Sequence, residues 1–158
     1  MRVLGIDPGL RVAGYGCIDA TDSSNRSTLV EAGAIKLNTK KSVSFRLAQL
    51  YKDIQEVIDE LKPDLMAVET IFTHERQVAT ATILGYARGV ILLAGEQASL
   101  PLIELTPAEI KKSITGNGRA SKSQIQQAIA STLQLKIAPE PPDVADALAI
   151  AITAAVRQ

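Results

Sequence analysis

Asp7 and Glu69 each close an otherwise apolar, strand-like run, Arg2 to Asp7 and Leu65 to Glu69. Ligands of α/β sheets gather at the C-terminal ends of strands, where the backbone turns away and side chains face a crevice. If these two strands are parallel neighbours, their carboxylates lie side by side, which persists only with protons or cations between them. Hard divalent ions such as Mg²⁺ take oxygen ligands of this kind. Taken singly, each residue has a structural explanation: Asp7 caps the Asp7-Pro8-Gly9 turn, and Glu69 is a solvated strand end. A second acidic pair, Asp143 and Asp146, stands three residues apart at the start of a helix and hence on one face. Helix capping accounts for one of them cheaply. It does not account for both. Asp146 lies within Val144-Ala145-Asp146-Ala147-Leu148-Ala149-Ile150, where an unpaired carboxylate is costly, and no Lys or Arg lies within one turn. A metal ion is the economical neutraliser, and carboxylates that hold divalent ions suit chemistry on a phosphate backbone.

The elements that must position these groups are legible in the pattern. Arg2 to Asp7, Val12 to Asp19 and Leu29 to Leu37 read as three strands joined by Asp7-Pro8-Gly9 and Asp22-Ser23-Ser24-Asn25, loops so short that the strands must be antiparallel neighbours. Leu47, Leu50, Tyr51, Ile54, Val57, Ile58 and Leu61 then repeat at three and four, an amphipathic helix stopped by Lys62-Pro63. The strand ending at Glu69 returns after that helix and is expected parallel to an earlier strand. An almost wholly apolar helix follows from about Gln77 to Ala98, then a strand from Pro101 to Leu105. Thr106-Pro107 starts a helix that fades at Gly116-Asn117-Gly118, and Ser121 to Gln124 matches a capping box. Asp143 to Arg157 is the last helix, preceded by Pro139-Glu140-Pro141-Pro142. The order βββ-α-β-α-β-α-α-α implies an α/β fold with a mixed five-stranded sheet flanked by helices, in one domain over residues 1–158.

At 158 residues the chain can bury a proper core, and with five aromatic residues and no Trp that core must be built from Ala, Ile, Leu and Val. The N-terminus lacks the apolar run of a signal peptide, and no apolar stretch reaches the roughly 20 residues a membrane helix needs, so a cytoplasmic protein is expected. The lone Cys17 sits in a strand-like run and reads as a buried, reduced thiol. Net charge is zero, but its distribution is uneven: residues 70–138 carry seven Lys/Arg against four Asp/Glu, whereas residues 1–69 carry nine against ten and residues 139–158 one against three. A carboxylate metal site bordered by a basic surface gives this pattern.

Four segments in order, Gly5-Ile6-Asp7-Pro8-Gly9, Val68-Glu69 with Phe72, Leu84-Gly85-Tyr86-Ala87-Arg88-Gly89, and Asp143-Val144-Ala145-Asp146 through Ile152, resemble RuvC-type Holliday junction resolvases of the ribonuclease H-like fold. The resemblance spans Arg2 to Ile152. It implies that Asp7, Glu69, Asp143 and Asp146 are catalytic ligands of two Mg²⁺ ions, with Mn²⁺ as a substitute. Lys111 and Lys122 would be the functional lysines either side of the Gly116-Asn117-Gly118 loop, and Phe72 an aromatic that enters the unpaired junction centre. Arg119 joins them as a DNA contact. Thr73 to Gln77 departs from the family pattern, and the single histidine there, His74, reads as solvated. The resemblance further implies four-way junction DNA as substrate, a homodimer, and a branch-migration motor complex as a partner. The helix from Gln77 to Ala98 supports a dimer independently, being too apolar for one buried face, with Gly85 and Gly89 allowing close approach of another helix.

Two other readings stay open at this level. One is a ribonuclease H-like relative that processes ribosomal RNA, separable by comparing cleavage of an RNA duplex and a DNA junction. The other is an ATP-binding module of the sugar-kinase and actin type, whose first phosphate loop resembles Asp7-Pro8-Gly9 followed by Gly14. That family needs a second half-domain.

Overall fold

In the computed structural model, which describes residues 1–21, 26–70 and 78–158, ten elements follow the expected order. They are β1 (Arg2–Asp7), β2 (Val12–Thr21), β3 (Arg26–Lys36), α1 (Val43–Leu61), β4 (Leu65–Glu69), α2 (Val78–Gln97), β5 (Leu102–Leu105), α3 (Pro107–Thr115), α4 (Lys122–Thr132) and α5 (Pro142–Val156). The sheet order is β3-β2-β1-β4-β5, antiparallel from β1 to β3 and parallel from β1 through β4 to β5. This is the mixed sheet that the short loops and the later helical crossovers require.

Strand alternation sends successive side chains to opposite faces, so the sheet has two cores. Val3, Ala67 and Leu105 join Ile110, Ile125, Ile129 and Leu148 under α3, α4 and α5. Leu4, Ile6, Met66 and Val68 join Leu50, Ile54, Ala87 and Ile91 under α1 and α2. The buried apolar residues among those described include no aromatic, as the composition demanded. Cys17 is buried in the second core, and burial pushes its thiol up to about 11, which leaves it unreactive.

Cap chemistry sets the helix boundaries near the site. Thr106 caps α3 by accepting from the Glu109 amide, with Pro107 in the first turn, and Gly116 ends it at φ 73°, a conformation that suits glycine. Ser121 and Gln124 form the expected reciprocal box at the start of α4. Elsewhere the observed bounds differ in ways periodicity does not report. α1 begins at Val43 because Ser42 accepts from the Phe45 amide at 3.2 Å. The β2–β3 hairpin runs out to Thr21 and Arg26, beyond the apolar stretch, with a register shift between Cys17 and Ile18 that places one extra residue in β3. No helix among the described residues is long and apolar enough to cross a membrane.

Candidate metal centre

The site is assembled by a helix lying almost in contact with strand backbone. A Cβ on Gly14 would stand 2.0 Å from the Asp143 carbonyl oxygen, and one on Gly5 would stand 2.2 Å from that of Ala147. No side chain fits in either space, so β1 and β2 must present bare backbone for α5 to settle onto them. Gly14 is the cross-strand partner of Asp7. Seating the first turn of α5 over Gly14 therefore carries Asp143 and Asp146 to the end of β1. On the other side, β1 and β4 run parallel with Ile6 beside Val68, so the next residues of the two strands, Asp7 and Glu69, come out together. Arg88 of α2 secures the end of β4: its Nε donates to the Glu69 carbonyl at 3.3 Å, and its guanidinium pairs with Glu104 of β5.

Close carboxylates in partial burial resist ionisation. Burial first, then the charges of Asp146, Glu69 and Asp143, push Asp7 up to about 8, with Lys122 opposing. Glu69 is raised by burial and then by Asp146, against the pull of Lys111 and Lys122. Asp146 is raised by burial, while Lys122, Lys111 and a hydrogen bond from Lys122 counter it. The expectation that Asp146 has no cation beside it is corrected by the fold. No basic residue lies within one turn of α5, but α4 supplies Lys122, whose Nζ stands 3.5 Å from Asp146 Oδ2. A sequence-local search cannot see a partner 24 residues away.

The chemistry of the cluster nonetheless suits a hard divalent ion. All the candidate donors are carboxylate oxygens, and the crowding that pushes Asp7 up is of the kind a cation would relieve. As the side chains stand, no three acidic, histidine or cysteine groups among the described residues enclose a point tightly enough to ligate an ion.

A cavity of ≈ 270 Å³ opens over the cluster, lined by Asp7, Glu69, Lys111, Lys122 and Asp146, with Pro107, Ile110 and Ile125 behind them. Both lysines expected at the site are therefore there, one from α3 and one from α4. Asp143 is not on this wall; it borders an adjoining groove of ≈ 570 Å³. Arg119 is exposed in the turn between α3 and α4, where its amide donates to Asn117 Oδ1 at 2.9 Å, and its side chain is not among those lining the cavity. Phe72 and His74 lie outside the described residues. Sequence reasoning missed Gly5, Gly14 and Arg88 as positioning residues. A signal existed: glycine at alternate positions of a strand, Gly14 and Gly16, faces the alanine-rich α5, which is the pattern of a close helix-on-sheet approach.

The family profile described as crossover junction endodeoxyribonuclease RuvC matches residues 3–154. The crossover junction endodeoxyribonuclease RuvC of Brevibacillus brevis is 44% identical over 153 residues, 97% of this chain and 90% of its own. That of Rhodopirellula baltica is 45% identical over 150 residues, 95% of this chain and 83% of its own. Among solved structures, Thermus thermophilus RuvC in complex with Holliday junction substrate superposes with a TM-score of 0.89 at 33% identity, covering 97% of this chain and 92% of that one. The yeast mitochondrial Holliday junction resolvase Ydc2, at 13% identity and a TM-score of 0.66, shares the fold alone. The ribonuclease H-like architecture expected from the four motifs is thus the one observed.

Proposed function

Given that the chain belongs to the RuvC family of crossover junction endodeoxyribonucleases, we propose that it cuts four-way DNA junctions with Asp7, Glu69, Asp143 and Asp146 as its catalytic carboxylates. The activity is that of a structure-selective endodeoxyribonuclease of recombination and repair, exerted by one domain spanning the chain. One observation supports the assignment of the site: Asp7, Glu69 and Asp146 line one cavity where β1, β4 and α5 converge, Asp143 borders the adjoining groove, and burial together with the charges of the other three pushes Asp7 up to about 8. Nothing in the fold needs such a concentration of charge, and a divalent-ion enzyme does.

Two divalent ions, Mg²⁺ or Mn²⁺, held between these four residues would supply a water of lowered pKa and positive charge beside the departing 3′-oxygen. The remaining work belongs to the chain. Lys111 and Lys122 attract the scissile phosphate to the cavity and hold its non-bridging oxygens, giving affinity without sequence information. Asp7, raised by burial and its acidic neighbours, would act as a ligand in its ionised form. Arg88 and the Gly14 contact hold Glu69 and Asp143 in register with it. Cleavage breaks the P–O3′ bond and leaves 5′-phosphate and 3′-hydroxyl ends. Arg119 and Phe72 add contacts to the junction arms and centre.

Paired nicks in a near two-fold junction need two such sites, and the exposed face of α2 suits a second copy. Among the described residues a Cβ on Gly85 or Gly89 meets nothing within 4 Å, and Ile83, Tyr86 and Leu93 are exposed at 41%, 50% and 50%. An apolar stripe flanking two glycines is a self-complementary surface of the kind isologous dimers bury. A branch-migration motor complex is the partner that would deliver the junction.

The deciding assay incubates a synthetic four-way junction, a linear DNA duplex and an RNA duplex with the protein at equal concentration, with Mg²⁺ and with EDTA. Symmetric nicking of the junction alone, only with metal, is the expected result. Faster cleavage of RNA would restore the ribosomal RNA reading.

A further inference from the structure

The groove beyond Asp143 is not absorbed by the chemistry above, and its wall carries two arginines. Arg46, on the first turns of α1, donates from Nη1 to the Leu10 carbonyl at 2.8 Å, while its buried Nε has no acceptor. Arg11 projects from the turn that follows β1 and is exposed. Among the described residues neither arginine forms an ion pair with an acid. Both line the ≈ 570 Å³ groove together with Thr80, Ile83, Leu84 and Asp143. A guanidinium half withdrawn from water without an anionic partner is a poor structural device but a good receptor for a phosphate, to which it presents paired N–H groups.

We propose that this groove binds a second backbone phosphate of the DNA strand being cut, held by Arg11 and Arg46 on the side of the carboxylates opposite Lys111 and Lys122. Asp7 borders the catalytic cavity, Pro8 borders the groove, and Asp143 lies on the groove's rim, so the two spaces are neighbours along one edge of the sheet. A strand with one phosphate at the carboxylates therefore presents an adjacent phosphate to the arginines. The apolar side chains of Ile83 and Leu84 offer a surface to the intervening sugar. Among the described residues that line the groove, Asp143 is the one acid. The inference rests on the junction-cutting reading.

Salt dependence of junction binding tests it, because removing one phosphate contact lowers the slope of log affinity against log salt by about 0.7–0.9. Wild type, Arg11→Ala, Arg46→Gln and the double variant are titrated with a four-way junction in Ca²⁺ between about 50 and 200 mM salt. DNA integrity is checked on a denaturing gel. Gln at position 46 keeps a donor for the Leu10 carbonyl while removing the charge. The slope should fall for each single variant and by about 0.7–0.9 for the double, which removes the one phosphate contact entirely. The loss of affinity should be equal for junctions of different sequence. Lys136→Ala, at an exposed residue that lines neither the groove nor the catalytic cavity, should leave the slope unchanged. A folded double variant with the wild-type slope overturns the inference even where wild type binds and cuts. If Arg46→Gln does not fold, Arg11→Ala alone decides: an unchanged slope overturns the proposal. Failure of wild type itself to bind and cut the junction would instead sink the functional reading on which this one stands.

Discussion

Asp7 carries the heaviest electrostatic load of the four carboxylates, and two consequences can be measured separately. Asp7→Asn should retain or tighten junction binding, since one charge that repels phosphate is gone, while cleavage falls to background. A variant keeping more than about a tenth of the wild-type rate, a barrier change under ~1.4 kcal/mol, would remove Asp7 from the mechanism. The second consequence concerns stability. The folded value of about 8 exceeds the ordinary 3.8, so between those limits the native state holds a proton that the unfolded chain has released. Stability of the metal-free protein should therefore decline as pH rises from about 4 to about 8 and level off above, by an amount on the order of a few kcal/mol. Asp7→Asn lacks the share of this decline that belongs to Asp7, so its melting temperature relative to wild type should rise from pH 4 to pH 8. Identical pH profiles for the two proteins would show that Asp7 is not crowded by its neighbours. Lys122 is the third residue with a distinct expectation. It reaches Asp146 while remaining 77% exposed, a geometry suited to a charge that moves between carboxylate and phosphate. Lys122→Ala should slow cleavage of every junction sequence at least tenfold, about 1.4 kcal/mol. Altered sequence preference at an unchanged rate would assign it to base contacts instead.

At the scale of elements, the contact of α5 with β1 and β2 places two of the four carboxylates. Gly14→Ala puts a methyl group into the Asp143 carbonyl, a collision with backbone that no rotamer relieves. The helix must lift, at a cost of about 1–3 kcal/mol for overpacking and in cleavage by roughly 100-fold for a displacement near 1 Å. Differential scanning calorimetry and single-turnover cleavage check the two parts. A Gly14→Ala variant that is both stable and active would show that α5 need not touch the sheet. Gly85→Ala is the informative contrast, because a Cβ there meets nothing within 4 Å among the described residues. Helix propensity alone should leave the monomer unchanged or more stable by about 0.5–1 kcal/mol.

For the whole molecule, the unpartnered face of α2 predicts assembly. Tyr86→Glu places a charge in the middle of that face and should shift the protein from dimer to monomer in sedimentation experiments, with the fold unaltered by circular dichroism. Junctions cut by the variant should carry single nicks in place of paired ones. A wild-type protein that sediments as a monomer, with and without junction DNA, would exclude the isologous arrangement.

Sequence alone determined what is local or periodic. The strand ending in Asp7, the caps of α3 and α4, the pairing of Asp143 with Asp146 and the apolar excess of α2 are all properties of neighbouring residues, and short-range geometry makes them readable. Ordered motifs also carried the family, because a spacing of carboxylates along a chain survives without any knowledge of distances. Tertiary structure decided which charges face one another. That Lys122 reaches Asp146, that Asp143 turns toward a second groove with Arg11 and Arg46, and that Arg88 grips the carbonyl of Glu69 all depend on contacts between elements far apart in the chain. Coulomb interactions depend on separation in space, and the packing of elements, α5 against bare glycine backbone among them, fixes that separation here.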